Sequence, residues 1–331
     1  MLDDRPVNYP TFSGPLAAHL TAFLSEKRNT GHKYGAESCY LNSIDRFSIQ
    51  MNIAQGSLPK AFVDEWTRKN EYESHKTWQN RVVVMRQLAR YLNAHEIPAH
   101  ETSLIIHTRR SDFVPHIYTD SELKHIFEAA DRCPIYVNCP KRRIVASQLF
   151  RLVYACGLRI SEALNLKLKH VNLENGVLTI ENSKFGTNRY VPMSAELTVQ
   201  MRTYIARAYP MPTDGDVLFP APDGGKYSKR AIAYMFHQLL HMAGISRTKN
   251  GPRIHDLRHT FSVNCLKKWV HKGQDLTTML PVLSTYLGHK GLSGTQDYLR
   301  LTADMFPDIC CAVETKFGDV IPRGDFALET E

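Results

Sequence analysis

Apolar residues recur at helical spacing along most of the chain, and the interruptions mark its layout. PLAAHLTAFLSEK, residues 15–27, repeats its apolar positions with a period near 3.6, which predicts an amphipathic helix that ends at NTGHKYG. Residues 36–51 put Leu41, Ile44 and Phe47 on one stripe, and residues 58–69 give a third helix. Residues 74–95 give a long fourth one with Trp78, Val82, Met85, Leu88 and Leu92 in register. Four helices with short connections predict a helical module over residues 1–105.

The stretch ETSLIIHTRRSDFVPHIYTD breaks the pattern, and its Pro115 blocks helix, so residues 106–118 read as a linker. Thr119 or Asp120 then caps the helix SELKHIFEAAD. A second domain over residues 119–331 continues with a helix at 142–156, ended by Gly157, and another begun by RISEALNLKL. GVLTIEN and RYVPM switch to strand-like runs. The segment between them, SKFGTN, bends at Gly186, which predicts a hairpin. Helices return at SKRAIAYMFHQLLHMAG, HDLRHTFSVNCLKKWV, LPVLSTYL and GTQDYLRL, and VIPRGDFALETE reads as a tail. The expected fold class is mainly α with a small antiparallel β-sheet, in two domains.

Composition refines this picture. A length of 331 residues fits two domains, and 43% hydrophobic residues suffice for two cores. There is no apolar run of about 18 residues, and MLDDRPVNYP lacks the apolar core of a secretory signal, so neither a membrane span nor export is expected. Seven cysteines, with no CxxC pair, fit reduced thiols in a cytoplasmic protein. Cys133 and Cys139 flank a proline-containing loop but have no Cys/His partners at zinc spacing. No Walker motif or GxGxxG occurs, so neither metal nor cofactor is expected. Net charge is +8, of which +1 falls in residues 1–105 and +7 in the rest. A basic second half fits a polyanionic partner.

Six residues of that half form a chemical set. Arg159 lies in YACGLRISEAL, Lys184 in ENSKFGTNRYVPM, His255 and Arg258 in RIHDLRHTF, and His289 and Tyr298 in LGHKGLSGTQDYL. Each alone reads more readily as a surface, capping or core residue. Together they suit phosphodiester chemistry. Arginine is always protonated and can donate two parallel hydrogen bonds to the oxygens of a pentavalent phosphorane. His255 and Arg258, three apart, share one helix face. Lys184 is the only lysine of the hairpin and could protonate a leaving 5′ oxygen. His289, aimed by Gly288, could donate to the phosphate. Tyr298 is the candidate nucleophile, its phenolate favoured by surrounding cations. Tyr286, the nearest rival, falls in an apolar stripe. Glu162, one turn beyond Arg159, would orient it or pair elsewhere. Arg109 and Arg110 of the linker, and Lys229 and Arg230 of the SKRAIAYMFHQLL helix, are candidate DNA contacts.

The ordered blocks GLRISEAL, a hairpin lysine before RYVP, HDLRHTF, LGH and Tyr298 resemble the tyrosine recombinase (phage integrase) family. The resemblance spans essentially the whole chain, the first 105 residues by pattern only. It implies a two-domain DNA clamp, nucleoid-associated in the cytoplasm, that needs no cofactor. It further implies attack by Tyr298 to give a 3′-phosphotyrosine, and strand exchange through a Holliday junction. The DNA partner would carry a dimer per site and a tetramer in the synapse. Residues 302–317, with Met305, Phe306 and Ile309, would pack on a neighbouring protomer. The longer Arg258–His289 stretch resembles versions carried on mobile elements, and no N-terminal arm-site domain is expected. Two alternatives stay open at this point: a type IB topoisomerase-like enzyme, and a catalytically silent DNA binder with the same fold.

Overall fold

The computed structural model describes residues 10–32, 34–54, 56–104, 114–181, 188–248, 251–289 and 298. The chain divides into two units, residues 1–111 and 112–331.

The first unit holds α1 (Ala17–Asn29), α2 (Glu37–Gln50), α3 (Lys60–Thr67) and α4 (His75–Ala94). Its core is the predicted stripes: Leu20 and Phe23 of α1, Leu41 and Ile44 of α2, Phe62 of α3, and Met85, Leu88 and Leu92 of α4. Ser74 caps α4 by accepting from the Thr77 amide at 3.1 Å. Inside the same unit Arg81 is buried, pairing with Glu73 at 2.8 Å and donating to the Arg68 carbonyl at 2.8 Å.

The second unit opens with α5 (Asp120–Asp131), where Thr119 and Glu122 form a reciprocal capping box. Of the 106–118 segment only residues 114–118 are described. Tyr118 is buried in the second unit's core, where its amide donates to Thr260 Oγ1 at 3.0 Å and its hydroxyl to the Arg253 carbonyl at 3.0 Å. Next come α6 (Arg142–Ala155), α7 (Ile160–Asn165) and a 3-10 turn, Leu168–His170. A meander follows: β1 (Val171–Asn172), β2 (Val177–Ile180) and β3 (Arg189–Pro192), antiparallel in the order β1-β2-β3. The expected mainly helical fold with a small antiparallel sheet is thus the one observed.

Four more helices follow among the described residues: α8 (Ala195–Ala208), α9 (Lys229–Met242), α10 (Ile254–His271) and α11 (Leu276–Leu287). The hydropathy reading did not include α8. Ser194 caps it, accepting from the Leu197 amide at 3.2 Å, and Leu197, Met201, Tyr204 and Ala208 bury its inner face. The α11 helix starts ahead of the expected LPVLSTYL run, because Asp275 accepts from the Thr277 amide at 3.0 Å and Pro281 does not end it.

The core centres on α6, whose Leu149 and Phe150 are fully buried; the Phe150 ring meets Phe236 of α9 at 5.1 Å. Along α10, Leu257 joins this core, while Leu266 joins a second cluster with Leu283, Leu287 and Tyr298. The two clusters fix α10 between α6 and α11, and the polar site forms where those elements end.

Candidate active site

Of the predicted catalytic residues, Arg159 and His289 reach the site from element ends, and His255 and Arg258 from α10. Arg159 is at the N-cap of α7. The preceding turn runs through Gly157 at φ +56°, where an added Cβ would lie 2.5 Å from Phe261 Cδ1. Only glycine lets that turn close on α10 in this conformation. Gly288 ends α11 in the left-handed region, φ +67°, and the His289 amide folds back onto the Ser284 carbonyl at 3.0 Å. This closure directs His289 back towards α10.

Three arginines meet at the C-terminus of α11, and each takes a different carbonyl. Arg189 Nε donates to Tyr286 O at 2.8 Å, Arg258 Nη2 to Leu287 O at 2.7 Å, and Arg159 Nη2 to Gly288 O at 3.1 Å. These are the carbonyls a helix leaves unpaired at its negative end. Arg258 is 1% exposed and also donates to Gly157 O at 2.9 Å and to His289 Nε2 at 3.0 Å. The neighbouring Tyr298 side chain favours its charged form.

One carboxylate serves all three. Glu162 accepts from Arg159 Nη1 at 2.8 Å and from both Arg189 terminal nitrogens at 3.0 and 2.8 Å, and Arg258 Nη1 stands 3.9 Å away. Burial alone would raise the Glu162 pKa; bonds and charge from Arg189 and then Arg159 outweigh it and hold the carboxyl at about 2. Burial, with repulsion from Arg159, lowers Arg258 to about 10, which leaves it cationic at neutral pH. Among the described residues, three guanidiniums against one carboxylate leave two positive charges in excess, an arrangement suited to an oxyanion.

The histidines are neutral partners. His255 keeps an exposed face, yet desolvation by the surrounding protein and repulsion from Arg258, Arg253 and Arg159 push its pKa to about 4. His289 is likewise pushed to about 4, by burial first and then by Arg258. Because Nε2 of His289 accepts from Arg258, the network assigns its proton to Nδ1. Tyr298 is helical and 3% exposed. Its ring lies 6.1 Å from the His289 ring and 5.4 Å from that of His259, which in turn lies 4.7 Å from His255.

Arg159, Arg258, His289 and Tyr298 are therefore brought together, with His255 reached through His259. Lys184, Arg109, Arg110 and residues 302–317 lie outside the described residues. Lys229 and Arg230 stand exposed in the first turn of α9, on a separate element. Tyr286 stacks on Phe261 at 5.7 Å and gives only its carbonyl to the site. The sequence reading missed Arg189 and His259. Both carried a signal: strand alternation puts Arg189 on the inward face with Val191, and His259 lies one helical turn after His255. Among the described residues no cluster of metal ligands occurs, and no helix is long and apolar enough to cross a membrane.

Residues 117–305 match the phage integrase family. The chain belongs to that family. With it the chain joins the tyrosine recombinases, enzymes that break and rejoin DNA. The integrase/recombinase homologue y4rB of Sinorhizobium fredii is 31% identical over 77% of this chain and 83% of its own length. The tyrosine recombinase XerC of Halalkalibacterium halodurans is 26% identical over 89% of this chain and 95% of its own. Among solved structures, a lambda integrase tetramer bound to a Holliday junction superposes with a TM-score of 0.59 at 16% identity, covering 86% of this chain and 76% of that one. That likeness concerns the fold.

Proposed function

We propose that this recombinase acts at specific double-stranded DNA sites, with Tyr298 as its nucleophile, to integrate, excise, transpose or resolve a DNA element. The Tyr298 oxygen attacks the scissile phosphorus while the bond from phosphorus to the 5′ oxygen breaks. The phenol proton passes to neutral His255 by way of His259, whose ring lies between the two, and Lys184 protonates the departing 5′ oxygen. Arg159 and Arg258 hold the non-bridging oxygens, and Nδ1–H of His289 donates to the same phosphate. The product is a 3′-phosphotyrosine and a 5′-hydroxyl. The 5′-hydroxyl of a second duplex reverses the step, so the phosphodiester energy is conserved and no nucleotide is consumed.

The observation that carries this reading is that Tyr298 is buried against His289, the partner of Arg258, beside a cluster in which, among the described residues, three guanidiniums face one carboxylate. A phenol there lies beside the cations that would bind its electrophile. Residues 1–105 contribute DNA binding, with Arg109, Arg110, Lys229 and Arg230 as further contacts, and residues 119–331 carry the chemistry. Strand exchange proceeds through a Holliday junction held by four protomers, two per site; lambda integrase, a structural neighbour, is seen as a dimer on a core site and as a tetramer on a Holliday junction. Residues 302–317 pack on a neighbouring protomer.

The test is a nicked suicide DNA built from the ends of the element that carries the gene. Wild type forms an adduct that survives SDS, and Tyr298→Phe forms none. An adduct with Tyr298→Phe would overturn the assignment of the nucleophile.

A further inference from the structure

Arg189 is the third guanidinium at the end of α11, and the chemistry described above does not use it. Its side chain is 9% exposed, and all three of its nitrogens are engaged on the protein. Nη1 and Nη2 grip both oxygens of Glu162, and Nε takes the Tyr286 carbonyl. A residue so committed has little to offer a substrate. Its partners, however, are the anchors of the residues that would touch one. Glu162 holds Arg159 at 2.8 Å and accepts from the Arg159 amide at 2.9 Å. The turn at Tyr286–Gly288 supplies the carbonyls that hold Arg258 and Arg159 and leads directly into His289. The guanidinium also lies against Gly288, where an added Cβ would come 3.0 Å from Nη1.

We infer that Arg189 is a positioning residue for the anion site: it fixes Glu162 relative to the end of α11 and thereby sets the distance between the Arg159 and Arg258 forks. A planar fork is needed, because the carboxylate and the carbonyl lie in different directions from one guanidinium. Lysine can reach one partner but not all three at once. This rests on the proposal that Arg159 and Arg258 clamp the scissile phosphate.

The experiment measures single-turnover adduct formation at saturating protein, with DNA affinity measured separately. The proteins are wild type, Arg189→Gln, Arg189→Lys and Arg159→Ala. Each acts on two suicide substrates: one with the natural phosphodiester, and one with an uncharged methylphosphonate at the scissile position, which removes most of the need for charge neutralisation. Arg189→Gln should slow cleavage of the phosphodiester by about a hundredfold, the scale of one lost transition-state donor. Its DNA affinity should stay within about threefold of wild type, the range left when contacts outside the changed site persist. Arg189→Lys should regain only part of the rate. On the methylphosphonate the Arg189→Gln deficit should shrink by at least about tenfold, in parallel with that of Arg159→Ala, because the missing function is stabilisation of charge.

An equal Arg189→Gln deficit on both substrates would overturn the inference and leave Arg189 a fold-stabilising residue. So would a loss confined to DNA affinity, or full rescue by lysine. If Arg159→Ala itself gains nothing on the methylphosphonate, the clamp reading fails first. If Arg159→Ala gains and Arg189→Gln does not, the inference alone fails.

Discussion

Replacing Glu162 with Gln should destabilise the second unit, and the size of the loss follows from the ion pairs. The substitution keeps shape but removes the one charge that faces Arg159, Arg189 and, at 3.9 Å, Arg258. In the folded protein this carboxyl sits at about 2, against 4.5 for an unperturbed glutamate. At about 1.4 kcal/mol per pH unit that gap corresponds to roughly 3 kcal/mol. A loss of about 3–5 kcal/mol is also the usual result of removing one partner from a buried pair. The folded pKa lies below the unfolded one, so the native state binds fewer protons between the two values. The stabilisation is therefore complete above pH 4.5 and is lost as pH falls towards 2. In urea at pH 7, Glu162→Gln should unfold with about 3 kcal/mol less stability than wild type, and in a thermal scan roughly 10 °C lower. The gap should narrow as pH drops below 4.5. Low sulfate, compared with chloride at equal ionic strength, should restore more stability to the variant than to wild type, since an anion can replace the lost carboxylate. Equal unfolding midpoints at pH 7, or a gap unchanged at pH 3, would refute the claim that this carboxylate organises the three arginines.

Other perturbations follow from the same geometry. Gly288→Ala must place a Cβ at φ +67° and 3.0 Å from the Arg189 guanidinium, whereas Gly244→Ala meets a similar φ of +70° with no atom within 4 Å. The first should lose the roughly 1–2 kcal/mol of left-handed strain together with cleavage rate, and the second the strain alone, as read from urea midpoints and adduct rates. His255 near pKa 4 is neutral at pH 6, so the second-order rate of adduct formation should stay flat from pH 8 to pH 6 and reach half near pH 4. A half-point near 6.5 would contradict a base with the lowered pKa.

Much of the layout could be read from the chain. The stripes in α1 to α4 were legible because apolar periodicity reports which face is buried. The Thr119 cap was legible because a capping box is local chemistry. The arginine, histidine and tyrosine positions were legible only as an ordered set, since each is bland by itself. Three features depended on tertiary contact. Arg189 looked like part of a strand, and its importance comes from Glu162, 27 residues away in sequence. Tyr118 looked like linker, and only the buried Thr260 hydroxyl, 142 residues on, ties it to the second core. The end of α11 looked like a simple helix stop, yet its carbonyls gather guanidiniums from α7, β3 and α10.

The decisive experiment is to trap wild-type protein on the suicide substrate, digest both protein and DNA, and locate the nucleotide-bearing residue by tandem mass spectrometry. A nucleotide linked through its 3′ phosphate to the Tyr298 phenol is the predicted result. A phosphate carried by Tyr286 or any other residue, or attached through a 5′ position, would contradict it.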